Sequence, residues 1–207
     1  MLVSFSHHFI FVHTPKTAGT SVQRALSPFS HPMNSGRVNK LASDLGLVKN
    51  PYKVFIRKHA TALQIKQKLG AEWQDKLRFG FVRNPWDLMF SYYNFISQNP
   101  AHHRHQQVLK MGGFEQYIDY EISRDKAHQH TLLCDQSGQL LVDVVGRFEH
   151  LAEDFTQICS RIGIDAQLPH ANASKHTDYR NAYTTTIVDK VAKHWAKDIS
   201  LFNYHFE

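Results

Sequence analysis

Residues 9–26 read Phe9-Ile10-Phe11-Val12-His13-Thr14-Pro15-Lys16-Thr17-Ala18-Gly19-Thr20-Ser21-Val22-Gln23-Arg24-Ala25-Leu26. The opening four residues are apolar, and the run is aromatic and β-branched. That predicts a short buried strand over Phe9–Val12. His13 to Ser21 contain Pro15 and Gly19 and read as a loop, and Val22 to Leu26 read as a helix that ends near Pro28. A strand, a loop and a helix in this order make an anion cradle. The amides of Lys16 to Ser21 are expected to turn inward, and the helix start adds unpaired N–H groups and the positive end of its dipole. Gly19 suits a tight turn and the close approach of a ligand. Thr17, Thr20 and Ser21 add hydroxyls, and Lys16 adds a mobile cation. An ordinary strand–turn–helix corner with a surface lysine would share the pattern. The order is not that of a Walker loop, which needs Gly, four residues, then Gly-Lys-Ser/Thr. Here Lys16 precedes the single Gly19, so no hydroxyl follows a terminal lysine to hold Mg²⁺.

Outward from this stretch, strands alternate with helices. Strands are expected at Lys53–Arg57, Leu77–Val82 and Val142–Phe148. Helices are expected at Ala60–Leu69, Trp86–Ser97, Phe114–Ile122, Leu151–Ile162 and Ile187–Phe202. Asn84 can cap the Trp86 helix, with Pro85 at its first position. Asp135-Gln136-Ser137-Gly138 is a hairpin signal between Leu132-Leu133 and Leu140–Val142. Residues 27–39, 98–112 and 165–183 read as loops. The alternation predicts an α/β fold with a mostly parallel sheet.

Arg83 ends the Leu77–Val82 strand. At the C-terminal edge of a parallel sheet it would share a crevice with the first loop. Ser91 follows eight residues later on the same helical face. A forked guanidinium and a hydroxyl suit one phosphate. A surface arginine and a helix serine that never meet would read the same way.

The chain has 207 residues, 42 % of them apolar and 12 % aromatic, which excludes global disorder and fits one domain over 1–207. Lys and Arg number 24 against 18 Asp and Glu, a net +6 that suits an anionic ligand. Cys134 and Cys159 are too few for a disulfide scaffold and fit a reducing compartment. No apolar run approaches the roughly 20 residues of a membrane span. The N-terminus lacks the features of a signal peptide. A cytoplasmic protein without a membrane partner is the expectation. The oligomeric state is not legible.

Residues 11–26 resemble the 5′-phosphosulfate-binding loop of sulfotransferases, and residues 79–93 resemble their 3′-phosphate-binding motif. The likeness is greatest to the branch of carbohydrate 2-O-sulfotransferases and their soluble bacterial relatives. Val145-Gly146-Arg147-Phe148-Glu149 and Asp178-Tyr179-Arg180 are similar to that branch as well. The resemblance implies a P-loop NTPase-like, three-layer α/β sandwich. It implies 3′-phosphoadenosine-5′-phosphosulfate (PAPS) as donor and a hydroxyl acceptor, with a carbohydrate the best candidate. It implies that Lys16, Thr17, Ala18, Gly19, Thr20 and Ser21 hold the 5′ end, and that Arg83 and Ser91 hold the 3′-phosphate. Tyr179 and Arg180 are further donor-side candidates, Tyr179 against the adenine. Tyr179 as a loop anchor and Arg147 and Arg180 as solvated arginines are equally open.

Sulfuryl transfer needs positioning, charge stabilisation at the leaving phosphate and a base for the acceptor hydroxyl. Lys16 can supply charge to the bridging oxygen. His59 is the base candidate: a helix start disfavours added positive charge and keeps its imidazole neutral. The resembling branch has a histidine base in the comparable segment. His13 is a second candidate, better suited to supporting the loop. No metal is expected. His7-His8, His102-His103-Arg104-His105 and His128/His130 lack metal spacing. Two other readings stand: a nucleotide kinase or NTPase, with Leu140–Asp143 as a Walker B-like strand, and a non-catalytic basic module for polyanions. Scattered charges and core-like aromatics argue against a nucleic-acid partner.

Overall fold

A computed structural model describes residues 1–30, 45, 56–169 and 178–206. The chain divides into two compact units, one of Met1–Val82 with His130–Ala171, the other of Arg83–Gln129 with Asn172–Glu207.

The first unit is built on a sheet of β1 (Leu2–Ser4), β2 (Phe9–Val12), β3 (Leu77–Val82) and β4 (Val144–Arg147), in that order. β1 runs antiparallel to β2, and β2, β3 and β4 are parallel. β1 has no legible signal in the sequence, because three residues carry too little pattern. A turn over Phe5–His8 folds it back, with Ser4 Oγ accepting from the His7 N–H at 3.0 Å. β2 is buried along its whole length, as its apolar run predicts.

One face of the sheet carries Phe9, Phe11, Phe79 and Phe81. On it lie α1 (Gly19–Leu26) through Val22 and Leu26, and α7 (Leu151–Ile162) through Phe155, Ile158 and Cys159. Each buried phenylalanine contributes roughly 1.5–3 kcal/mol. Gly80 points to the opposite face, where a Cβ would meet Leu133 at 2.7 Å. Leu133 belongs to the short α6 (His130–Leu133), which packs on α2 (Ala62–Leu69). Helices thus cover both faces of a mostly parallel sheet, the layered α/β arrangement expected. Thr61 and Gln64 form a capping box that starts α2.

The second unit is helical in its described residues. It holds α3 (Pro85–Ser97), α4 (His105–Leu109), α5 (Phe114–Arg124), α8 (Thr185–His194) and α9 (Ala196–Phe202). Asn84 caps α3 as expected, its Oδ1 accepting from the Trp86 N–H at 3.1 Å. Phe114 of α5 packs edge-on against Phe90 and Tyr93 of α3 and against Tyr183.

Several expectations are corrected. The 98–112 segment contains α4, whose His105 and Val108 are buried and whose His105 Nδ1 bonds the Ile96 carbonyl at 2.9 Å. The single helix Ile187–Phe202 is two, broken at Trp195, whose buried indole donates to the Lys126 carbonyl at 3.2 Å. The hairpin is reduced to one bridge between Cys134 and Leu140, and the strand after it starts at Val144. Residues 53–55 of the Lys53–Arg57 strand lie outside the described residues, and Ile56 and Arg57 are not in a strand. Residues 31–39 and 170–177 of two expected loops also lie outside. The 165–183 loop has a 3₁₀ turn at Tyr179–Ala182.

Candidate active site

The loop after β2 has an unusual backbone. Lys16 and Ala18 both adopt left-handed conformations, with φ of 65° and 56°. For residues with a Cβ this costs of order 1–3 kcal/mol each, a strain that concentrates at ligand sites. Alternating conformations of this kind bend successive amides toward one point, which makes an anion nest. Ala18 begins α1 without any side-chain cap, and the first turn has no acidic residue. No side-chain cap therefore serves the first N–H groups of the helix, the kind of helix start that can take an anion.

The details differ from the expectation of inward amides from Lys16 to Ser21. Ser21 N–H donates to the Ala18 carbonyl at 2.8 Å, inside the turn. Thr17 is fully buried and its hydroxyl donates to the Thr14 carbonyl at 2.8 Å, so that hydroxyl is engaged within the loop. Gly19 has no positive φ; its need is for space. A Cβ there would lie 2.1 Å from the ring of His13. The approach that Gly19 permits is that of a protein side chain beneath the loop.

His13 is buried, stacks on Phe11 and lies 4.7 Å from His59, centroid to centroid. Burial, with the positive groups nearby, pushes its pKa down to about 3, so the ring is neutral. His59 sits on the turn before α2, exposed on its outer side. Its Nδ1 donates to the His13 carbonyl at 3.3 Å. A carbonyl only accepts, so the neutral ring carries its proton on Nδ1 and its lone pair on Nε2. Burial of the inner edge lowers the pKa of His59; the bond to the His13 carbonyl opposes this, and Lys58 adds to the lowering. The structure therefore brings Lys16–Ser21, His13 and His59 together in the first unit.

A cavity of about 550 Å³ opens beside Ser21 in the same unit. Phe148, Glu149, Ala152, Phe155 and Leu168 help to line it. None of these was singled out as a donor contact from sequence, although Phe148 and Glu149 fall in a stretch that resembles the family. Asp143, the Walker B-like aspartate, precedes β4 and so lies at the opposite end of the parallel strands from the loop after β2. It is paired with Arg78, whose Nε donates to it at 2.6 Å. It is not placed to hold a metal at a nucleotide phosphate.

Arg83 opens the second unit and is buried. Its Nε and Nη2 donate to Asp87 at 2.6 and 2.9 Å, a two-pronged pair one helical turn apart. Its backbone is clasped by Gln129: Arg83 N–H donates to Oε1 at 2.8 Å, and Nε2 donates to the Arg83 carbonyl at 2.7 Å. Gln129 N–H in turn donates to the fully buried Asp198 at 2.7 Å. Ser91 is buried one turn beyond Asp87 on α3. Sequence reasoning missed all three supports. The i,i+4 spacing of Arg83 and Asp87 was a usable signal; Gln129 and Asp198 gave none.

Tyr179 and Arg180 lie on the Tyr179–Ala182 turn of the second unit. Tyr179 packs edge-on against Tyr183 and Phe206. Arg180 is exposed and pairs with Asp178 at 2.6 Å. Arg147 ends β4, its N–H donating to Asp154 at 2.6 Å. No described helix is long and apolar enough to cross a membrane.

Comparison with known proteins agrees with this architecture. No curated protein matches the chain. Among solved structures, mouse sulfotransferase SULT7A1 complexed with PAP superposes with a TM-score of 0.51 at 13 % identity, over 95 % of this chain and 85 % of that one. This likeness concerns the fold. A sulfotransferase from Alicyclobacillus acidocaldarius gives a TM-score of 0.39 at 15 % identity, over 95 % and 98 %. The model of the sulfotransferase family matches residues 1–205. With that match spanning nearly its whole length, the chain belongs to the sulfotransferase family, the PAPS-dependent class that its two phosphate motifs resemble.

Proposed function

We propose that the protein moves a sulfuryl group from PAPS to a carbohydrate hydroxyl, with His59 as base. The observation that carries this reading is the loop itself: two strained left-handed residues, Lys16 and Ala18, at an uncapped helix start, with a histidine of fixed tautomer beside them. The amides of Lys16–Thr20 and the Ser21 hydroxyl would hold the 5′-phosphosulfate. The cavity beside Ser21 is of a size that suits the nucleoside. Arg83, held in orientation by Asp87, would bind the 3′-phosphate with Ser91. Tyr179 and Arg180 keep the donor-side role that the resemblance implies. The two units are read as one sulfotransferase domain.

In the transfer, the acceptor oxygen approaches sulfur opposite the bridging oxygen of the donor. The new S–O bond forms as the old one breaks. The acceptor proton passes to His59 Nε2, whose lone pair the His13 carbonyl helps to expose. The electron pair of the broken bond stays on the phosphate of the departing PAP, where Lys16 and the loop amides stabilise it. No step calls on a metal. The PAP seen with SULT7A1 supports the same donor here.

The test is calorimetric binding of PAP to wild type and Arg83→Ala, in chelator. Micromolar binding that Arg83→Ala weakens by about 30-fold, roughly 2 kcal/mol, is expected for loss of charged hydrogen bonds. A folded wild type that binds no PAP would overturn the proposal.

A further inference from the structure

Three potential metal ligands converge in the second unit, in a place where sequence spacing predicted nothing. Asp125 ends α5 and His194 ends α8, and His128 lies on the short connection 125–129. Asp125 Oδ1 is 2.8 Å from His128 Nε2 and 3.3 Å from His194 Nε2. All three donor atoms lie within 4.8 Å of one another. The connection is held in an unusual shape: Asp125 and Ala127, neither of them glycine, both have positive φ, 49° and 64°. That shape turns Asp125 and His128 toward the same point as the last residue of α8.

The cluster is unbalanced as it stands. The single oxygen Oδ1 accepts from His128, while His194 Nε2 is buried without a hydrogen-bond partner among the described residues. Buried polar atoms are rarely left in that condition, and one that is calls for a reason. A cation supplies one, since it would take the lone pair of each imidazole and the carboxylate at once. We propose that Asp125, His128 and His194 form a binding site for one divalent transition-metal ion of the Zn²⁺ class, which ties the 125–129 connection to the C-terminal end of α8.

The donor set selects the ion class. Two imidazoles and one carboxylate suit zinc and its neighbours rather than Mg²⁺ or Ca²⁺, which prefer oxygen alone. Bonds of about 2.0–2.2 Å set tetrahedral donors about 3.3–3.5 Å apart. One pair already meets that figure, at 3.3 Å, and the 2.8 Å pair needs only a small opening. Asp125 is 78 % exposed, which leaves a way in for the ion and a fourth position for water. On binding, the proton of His128 Nε2 moves to Nδ1 through solvent, so the ring ligates in its neutral form. The same connection ends at Gln129, which clasps the Arg83 backbone, so the ion would brace the support of the arginine as well.

The test is Zn²⁺ titration of the chelator-stripped protein, read by calorimetry and by thermal unfolding. One ion per chain is expected, with a higher unfolding temperature. Because the chain has fifteen histidines, site assignment rests on variants. His194→Gln and Asp125→Asn should each weaken uptake at least about tenfold, the scale on which even indirect metal contacts matter. His102→Gln with His103→Gln should leave uptake unchanged. Asp125 is exposed, so Asp125→Asn provides a folded variant should His194→Gln not fold. Absence of a stoichiometric ion in wild type, or wild-type uptake by Asp125→Asn, overturns the site.

Discussion

The proposed function sets the loop at Lys16–Ser21 and the arginine at 83 the same physical demand, the holding of a phosphate, and the two are built in opposite ways. The loop is made from its own neighbourhood. Thr17 bonds Thr14, Ser21 bonds Ala18, and the strain sits in Lys16 and Ala18 themselves. Arg83 relies on remote sequence. Its backbone is held by Gln129, 46 residues away, and Gln129 is held by Asp198, 69 residues further on. A self-made site is robust to distant change and fragile to local change, and a borrowed site is the reverse. The same contrast governs what a single substitution does to each.

The largest effect is expected at His59, whose lone pair is oriented by the carbonyl at the base of the loop. His59→Ala should lower kcat by about 10²–10⁴-fold, the usual scale for a general base. PAP affinity, which this side chain does not supply, should stay within about threefold, well under the tenfold that 1.4 kcal/mol represents. A base works only when neutral, and the His59 pKa lies below its ordinary value of 6.5. The acidic limb of the rate profile should therefore fall below pH 6.5 and vanish in a slow His59→Ala enzyme. A limb that persists in that variant assigns the base elsewhere.

Next in size is Gly19→Ala. The added methyl would lie 2.1 Å from the His13 ring, and that ring is enclosed beneath the loop. Overpacking of this kind costs about 1–3 kcal/mol. The strain should appear as a lower unfolding midpoint in urea and as loss of both PAP and AMP binding. Removing the obstacle in the double variant His13→Ala/Gly19→Ala should recover part of the lost stability. Equal stability of the single and double variants would show that the ring is not what demands glycine.

The same contrast explains what could be read from the chain. The β2–loop–α1 unit and the Asn84-Pro85 helix start were legible because their determinants lie within a few residues of each other. The positive φ of Lys16 and Ala18 was not, since neither residue advertises it and Gly19 invited a turn reading instead. The break at Trp195 was hidden because the indole's partner is the Lys126 carbonyl, 69 residues away. The spacing of His128 and His130 carries no metal signal, because His194, the cluster partner of His128, is brought close by the packing of α5 and α8. Gln129 and Asp198 belong to this class too, as polar residues whose work depends on a tertiary neighbour.

Gln129 is therefore the residue that most sharply separates the two kinds of site. Gln129→Ala removes both bonds to the Arg83 backbone in a buried place, which costs about 1–3 kcal/mol of stability. The effect on binding should be selective, because the loop does not depend on Gln129. AMP carries only the 5′-phosphate and should bind Gln129→Ala as it binds wild type. PAP carries the 3′-phosphate as well and should bind about tenfold more weakly, some 1.4 kcal/mol. Gln129→Glu keeps an oxygen for the Arg83 N–H but sets a carboxylate against the Arg83 carbonyl, so it should fall on the same side as Ala. If Gln129→Ala weakened AMP and PAP alike, its role would be general stability, and the view of Arg83 as a phosphate ligand held from afar would fail. Loss confined to PAP would mean that the arginine's position is inherited from the 125–129 connection.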